Sequence, residues 1–444
     1  MNDKETLEFI EECNKLGSVP GLDSIIELTK RLGNPQDFLK FIHIAGTNGK
    51  GSTLSFISTV LSTAGYKVGR YISPVIMEYR ERFQINGKII SKSNLNSYME
   101  IIKEICDQMV LDGYSHPTSF EIETALAFLY FKEQKCDVVV LETGMGGLLD
   151  ATNLITTTII SVITSISMDH MQFLGNTLTE IAFHKAGIIR NNTNVVTVEQ
   201  DDEVWKVLEK ICKDKQAPFT IVEKKDISHI KYGINKQSFD YEKEHYEIAL
   251  AGTYQIENAT LALKTLQIIK ENGLLKDIDK KVKLTEEKIK KGLFATQWKG
   301  RFTIIGKKPV FIVDGAHNEA ASIQFAKSMD FYFTNKRKIY IMGMFRDKEC
   351  EKVIENTVHS ASQIITVATP GNARAFPAYE LAQIVKEYNI NVTVADSLEE
   401  AVEMSYLFAD KDSVIAAFGS LSYLGDLMTI IEKQKIIRSD THGK

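Results

Sequence analysis

The chain has 444 residues, more than one hydrophobic core comfortably serves, and its length fits two or three domains. Apolar residues make up 44% and charged residues 25%, an ordinary balance for a globular protein. The net charge of −5, with no long basic run, argues against nucleic acid or an anionic membrane as a partner.

The N-terminus reads MNDKETLEFIEECNKLG, acidic from the start, without the basic-then-apolar order of a secretory signal. No stretch reaches the ~20 consecutive apolar residues of a membrane helix. Five cysteines (Cys13, Cys106, Cys136, Cys212 and Cys350) lie far apart without CxxC pairs, which argues against a disulfide framework and a cysteine zinc site. Reduced, buried thiols in a cytoplasmic protein are expected.

Along the chain, short β-branched runs alternate with helical patterns, the signature of parallel-sheet α/β architecture. The first strand series covers 41–46 (FIHIAG), 137–144 (DVVVLETG), 158–166 (TIISVITSI) and 194–199 (NVVTVE). Continuous apolar runs such as VVVL imply burial on both faces. Residues 222–250 read as hairpins at the sheet margin, and 254–294 as helical, with the lysine-rich part from 275 to 293 a solvated helix face. A second strand series follows, at 309–317, 338–345, 363–369, 391–397 and 413–420, so a domain boundary is expected near residue 300.

The first strand runs straight into GTNGKGST (46–53) and then a helix with apolar spacing. A strand, a glycine-rich turn and a helix N-terminus form a phosphate cradle, because unpaired backbone N–H groups and the helix dipole face the anion. In that cradle Gly46, Thr47, Asn48, Gly49 and Gly51 bring backbone close, Lys50 reaches the β/γ-phosphates, and Ser52 or Thr53 offers a hydroxyl to Mg²⁺. The general G-x-x-x-x-G-K-[ST] rule is met only in part: Ile44 takes the first glycine position and Gly51 the hydroxyl position.

Further blocks are YISPVIMEYRERFQING (71–87), TSFEIETALAFLYF (118–131), VVLETGMGGLLDATN (139–153), SISMDHMQFLG (165–175), IAFHKAGIIR (181–190), GTYQIENATLAL (252–263), WKGRF (298–302) and VDGAHN (313–318). With the loop in its G-T-x-G-K-x-[ST] form, they resemble the folylpolyglutamate synthase/dihydrofolate synthase family of Mur ligases along nearly the whole chain. The resemblance implies an α/β fold: a P-loop-type parallel-sheet ATPase domain over 1–297, followed by a smaller Rossmann-like α/β domain over 301–444. It implies an ATP-dependent ligase that adds L-glutamate to the γ-carboxylate of a reduced folate through an acyl-phosphate. ATP, two Mg²⁺ ions, folate and glutamate are then the partners.

By the same resemblance, Ser73, Glu142 and His170 correspond to Mg²⁺ ligands, and Ser52 accompanies the metal on the ATP phosphates. Oxygen donors suit Mg²⁺, whereas an imidazole is unusual for so hard an ion, so His170 also reads as a hydrogen-bonded loop histidine. Lys185 corresponds to a lysine carbamylated in this superfamily; unmodified, it would pair with phosphate. Asn258, Arg301 and Asp314 correspond to nucleotide contacts, with His317 close by as a catalytic candidate. Arg80 and Arg82 are available for substrate carboxylates, and Phe120 either meets the pteridine or packs in the core.

Leu148 and the acid-free LITTTII, together with Tyr254 in place of a histidine, resemble monofunctional folylpolyglutamate synthases more than the bifunctional enzymes, which remain the nearest alternative. A cell-wall Mur ligase fits less well, since only about 40 residues precede the loop, fewer than a domain needs. A P-loop ATPase switch would require neither folate nor glutamate.

Overall fold

Val138–Glu142 and Phe41–Ala45 are buried at every position, because helices cover both faces of the sheet they centre. A computed structural model describes the chain apart from residues 16, 18–20, 277, 279–281, 347 and 442–444, and apart from the side chains of 434–441. The first sheet has eight strands, in the spatial order Lys88–Ile89, Phe83–Ile85, Val68–Tyr71, Val138–Glu142, Phe41–Ala45, Thr158–Ile163, Asn194–Val198 and Phe219–Val222. The six from Val68–Tyr71 onward pair in parallel, and the other two add an antiparallel edge.

On one face the helices Lys50–Ala64, Gln255–Glu271 and Glu286–Ala295 bury a core with Ile42, Ile44, Val138 and Val140. On the other, Asp3–Asn14, Lys92–Leu111 and Ser119–Glu133 pack over Phe41, Val139 and Leu141. Thr118 and Glu121 close a capping box at the start of Ser119–Glu133, which occupies the Glu121 carboxylate structurally.

Thr303–Lys307 opens a second sheet of six strands, continuing through Val310–Val313, Val414–Phe418, Lys338–Met342, Gln363–Thr366 and Val392–Val394. Only its first strand runs antiparallel. Apolar clusters cover both faces, as in a doubly wound sheet. All five cysteines are buried and outside any disulfide. Among the described residues no helix is long and apolar enough to cross a membrane.

Two expectations need correcting. The hairpins expected over 222–250 are present, but not at the margin of the main sheet: Ile227–Lys231, Gln237–Tyr241 and Glu244–Ile248 form a separate three-stranded antiparallel sheet. Its Phe239, Tyr241, Tyr246 and Ile248 join the apolar core around helix Lys50–Ala64, so burial is what holds it in place. The 254–294 stretch is two helices, Gln255–Glu271 and Glu286–Ala295, and the lysine-rich end is only partly solvated. Ile289, Gly292 and Leu293 are buried, with Gly292 directly on Val60. Part of the lysine-rich stretch (277 and 279–281) lies outside the described residues.

Candidate active site

The carboxyl ends of neighbouring parallel strands are where an open α/β sheet gathers ligand groups. Here Ala45, Glu142 and Ile163 end such strands, and the loops that follow meet the ends of Val310–Val313 and Val414–Phe418 from the second sheet. They enclose an interdomain cleft of about 610 Å³, a size suited to a small-molecule site.

Residues 46–52 line the cleft, and the helix Lys50–Ala64 starts at its wall. Gly46 has φ +149, and a methyl there would fall 1.8 Å from Thr164 Oγ1, so only glycine fits. At Gly51 a methyl would lie 2.7 Å from the Trp298 ring, which explains why a hydroxyl residue is missing from that position. Lys50 Nζ donates to the carbonyls of Gly46 (3.1 Å) and Thr47 (3.2 Å), folding back over the loop. Ser52 Oγ accepts from Gln255 Nε2 at 3.2 Å. Thr53 is fully buried behind the loop and away from the cleft lining.

Glu142 is buried, and its backbone partner is the Ser73 N–H at 3.4 Å, a long contact. Burial pushes its carboxyl up to about 7, with Lys50 opposing. Lys185 is equally buried and donates to the Gly46 carbonyl at 2.8 Å. Burial first, and Lys50 second, bring its ammonium down to about 7. Ser73 and His170 line the same cleft; the His170 side chain is 41% exposed, on a residue with φ +52.

From the second domain come Arg301, Asp314 and His317. Asp314 Oδ2 accepts from the Tyr254 hydroxyl and the Phe302 N–H, both at 2.7 Å, and Oδ1 accepts from the Ala316 N–H at 2.8 Å. His317 Nδ1 donates to the Gly315 carbonyl at 2.7 Å, since that oxygen can only accept, which leaves Nε2 without a proton in the neutral ring. Burial, with Lys348 nearby, holds this imidazole down at about 4. Asn258 also lines the cleft, with Nδ2 donating to Gln255 Oε1 at 3.0 Å.

Besides Thr53, three candidates stand outside the cleft lining. Arg82 pairs with the buried Glu123 at 3.1 Å and donates to Ser73 Oγ at 3.2 Å, so its charge is already met. Arg80 pairs with Glu78 at 2.7 Å and donates to the Ile90 carbonyl. Phe120 packs against Gly144 and, at 6.0 Å between ring centroids, Tyr71, which is the core alternative.

Residues not singled out in sequence tie the two domains together. Asp169 meets Lys348 at 2.8 Å and accepts from Asn318 at 3.1 Å, while Asn318 exchanges hydrogen bonds with Asn48 of the phosphate loop. Burial works to raise the Asp169 carboxyl, but His170, Lys348 and His317 together hold it well below the usual carboxylate range. Asp169 and Asn318 fall inside quoted blocks, but Lys348 carries no motif. Among the described residues no group of three or more His, Cys, Asp or Glu side chains is arranged to hold a metal ion.

Comparison with known families places the cleft in the Mur ligase class: the Mur ligase middle domain matches residues 44–266 and the Mur ligase glutamate ligase domain residues 300–421. The chain is 32% identical to the dihydrofolate synthase/folylpolyglutamate synthase of Bacillus subtilis, covering 93% of this chain and 95% of that one. It is likewise 32% identical to the folylpolyglutamate synthase of Lacticaseibacillus casei, over 85% of this chain and 88% of the relative. Among solved structures, Mycobacterium tuberculosis folylpolyglutamate synthase complexed with ADP superposes with a TM-score of 0.86 at 26% identity, covering 97% and 99% of the two chains. E. coli FolC in complex with DHPP and ADP gives 0.83 at 26% identity, covering 97% and 98%. The chain belongs to the folylpolyglutamate synthase/dihydrofolate synthase family of Mur ligases.

Proposed function

We propose that the protein is an ATP-dependent ligase that adds L-glutamate to the γ-carboxylate of a reduced folate. The observation that carries this reading is one cleft in which the phosphate loop with Lys50 faces the buried Glu142 and Lys185 and is closed by Asp314 and His317 of the second domain. A carboxylate is a poor electrophile. In the proposed reaction a folate carboxylate oxygen attacks the γ-phosphorus of ATP, the bond to ADP breaks, and the acyl-phosphate carries a good leaving group. The neutral glutamate amine then attacks the carbonyl carbon, and phosphate departs with the proton that the amine nitrogen sheds. Loop N–H groups, the helix N-terminus and Lys50 stabilise the transferring phosphoryl group. The unprotonated Nε2 of His317 accepts a hydrogen bond from the incoming amine.

Glu142 is the natural holder of a cation, because it is a buried carboxylate on the cleft with a single long backbone donor. With Ser73 and His170 it would hold one Mg²⁺, and Ser52 would take a second with the ATP phosphates. When bound, the ions would neutralise phosphate charge. A buried lysine whose amine is substantially neutral near pH 7 suits attack on CO₂, with the N–C bond forming and a proton leaving, so Lys185 is read as carbamylated. Five cysteines outside any disulfide fit the cytoplasm.

Leu148 and the acid-free stretch after it support tetrahydrofolates over dihydropteroate as acceptors. The test is mass spectrometry of products from each acceptor with ATP and L-glutamate, alongside phosphate release. A mass gain of one glutamyl unit on tetrahydrofolate is expected, with dihydropteroate poor. ATP hydrolysis independent of both folate and glutamate would overturn the ligase reading, and equal efficiency on dihydropteroate would establish the bifunctional alternative.

A further inference from the structure

Arg70 stands in the middle of a buried strand, on the same face as Val68 and Ile72, where an apolar side chain would be expected. It is only 7% exposed. Its hydrogen-bond partners are all neutral: Nε donates to Ser58 Oγ (2.9 Å), one terminal nitrogen to Gln84 Oε1 (3.3 Å) and the other to Thr59 Oγ1 (3.2 Å). The guanidinium also lies 6.0 Å from the Trp298 ring centroid. Among the described residues no carboxylate pairs with it, and three of a guanidinium's five N–H donors are used. A buried charge without a counterion is costly unless something else meets it.

Arg70 and all three of its partners line a second cavity, of about 370 Å³, separate from the reaction cleft. The wall between the two is the segment 73–76. Pro74 lines both, Ser73 faces the cleft, and Ile76 faces the second cavity. The interdomain linker lines this cavity too, with Gln297, Trp298 and Lys299, and the Trp298 ring also abuts Gly51 of the phosphate loop. Glu81 also lines this cavity, but its Oε2 is engaged by the Ile76 and Met77 N–H groups at 3.0 Å each.

We propose that this cavity is a carboxylate-binding subsite, in which Arg70 takes the carboxylate of a glutamyl unit. The lining sets one buried planar guanidinium among hydroxyl and amide groups, and its other charges, Lys299 and Glu81, are of opposite sign, so the net of one positive charge suits a singly charged, planar anion better than a phosphate dianion. The volume accommodates an amino acid. The choice of glutamyl rests on the ligase reading. Two sources share that chemistry, free L-glutamate and the terminal residue of a glutamylated product, and the experiment separates them.

The chain has two tryptophans, so in a Trp205→Phe background Trp298 is the sole tryptophan and its fluorescence reports on the cavity wall. Titrations use L-glutamate, γ-glutamylglutamate and inorganic phosphate, with ADP as the control for fold and for the reaction cleft. A saturable response to the carboxylates and a much weaker one to phosphate are expected. Arg70→Gln should weaken it roughly tenfold to a hundredfold, the scale of a lost charged hydrogen bond. Ser62→Tyr, which fills the cavity without removing Arg70, should do the same, and both variants should keep the ADP response. Tighter binding of γ-glutamylglutamate assigns the product tail; tighter binding of glutamate assigns the free amino acid.

Unchanged carboxylate affinity in the two variants would place the binding in the reaction cleft and overturn the proposal. So would phosphate binding as tightly as the carboxylates, or no response to any carboxylate. If Arg70→Gln does not fold, Ser62→Tyr decides. Ligation is assayed on the parent in parallel, so a failed ligase reading shows as absent product whatever the titration gives.

Discussion

Glu142 and Lys185 are opposite charges driven toward neutrality by the same burial at one cleft. A carboxyl whose folded pKa of about 7 exceeds its ordinary 4.5 binds protons preferentially in the folded state. Its ionisation therefore costs nothing below pH 4.5, and the cost grows as pH rises toward 7, to on the order of 3 kcal/mol. In metal-free protein Glu142→Gln should thus be more stable than the parent at pH 8, by a margin that shrinks toward pH 5; denaturant melts at the two pH values check this. A margin independent of pH would mean the carboxyl is not the source. Lys185→Ala should cripple turnover more than ATP binding, and acetate in solution should partly restore the rate if a carbamate is the working group. Restoration by methylamine and not acetate would identify the free ammonium instead.

Helix Glu286–Ala295 meets helix Lys50–Ala64 through Gly292, where a methyl would lie 2.6 Å from the Val60 Cα. That contact is backbone against backbone, with no flexible side chain to yield. Gly292→Val should lower stability by roughly 1–3 kcal/mol, read as a drop in Tm, and should loosen the support behind the phosphate loop. The same helix shows where sequence reading stops. VVVLE declares itself by an unbroken apolar run, and the loop by its glycines and lysine. VGRY does not read as a buried strand, because Arg70 breaks the pattern, and TIIGK at 303–307 is an edge strand with a glycine and a lysine. Arg82 reads as available for a substrate until the fold brings Glu123 beside it, since pairing across distant segments leaves no local trace. Lys348 is the same case: its partner Asp169 belongs to the other domain.

Across the whole molecule, two sets of contacts bridge the cleft, Tyr254 to Asp314 on one side and Asn48, Asn318, Asp169 and Lys348 on the other. The Asp169–Lys348 pair is nearly buried, with side chains 8% and 12% exposed, so breaking it leaves a carboxylate poorly solvated. Lys348→Ala should lower kcat/KM for ATP at least about tenfold. Small-angle scattering in the presence of ADP should show a larger mean radius than in the parent. An unchanged radius with impaired turnover would assign Lys348 to the chemistry rather than to holding the domains together.

The five buried cysteines turn the protein into its own integrity gauge. A thiol reagent needs both access and thiolate, and burial denies both, holding Cys106, Cys136 and Cys212 up at about 12 and Cys13 at about 11. Cys13, Cys106 and Cys136 sit in one apolar cluster over a face of the first sheet, Cys212 in a neighbouring cluster on the same face, and Cys350 in the second domain. Native protein should therefore consume almost none of a disulfide reagent such as DTNB, and denatured protein five equivalents. Alkylation with quantification by peptide would show which layer opens first under heat, and ADP should slow that opening by binding the native form.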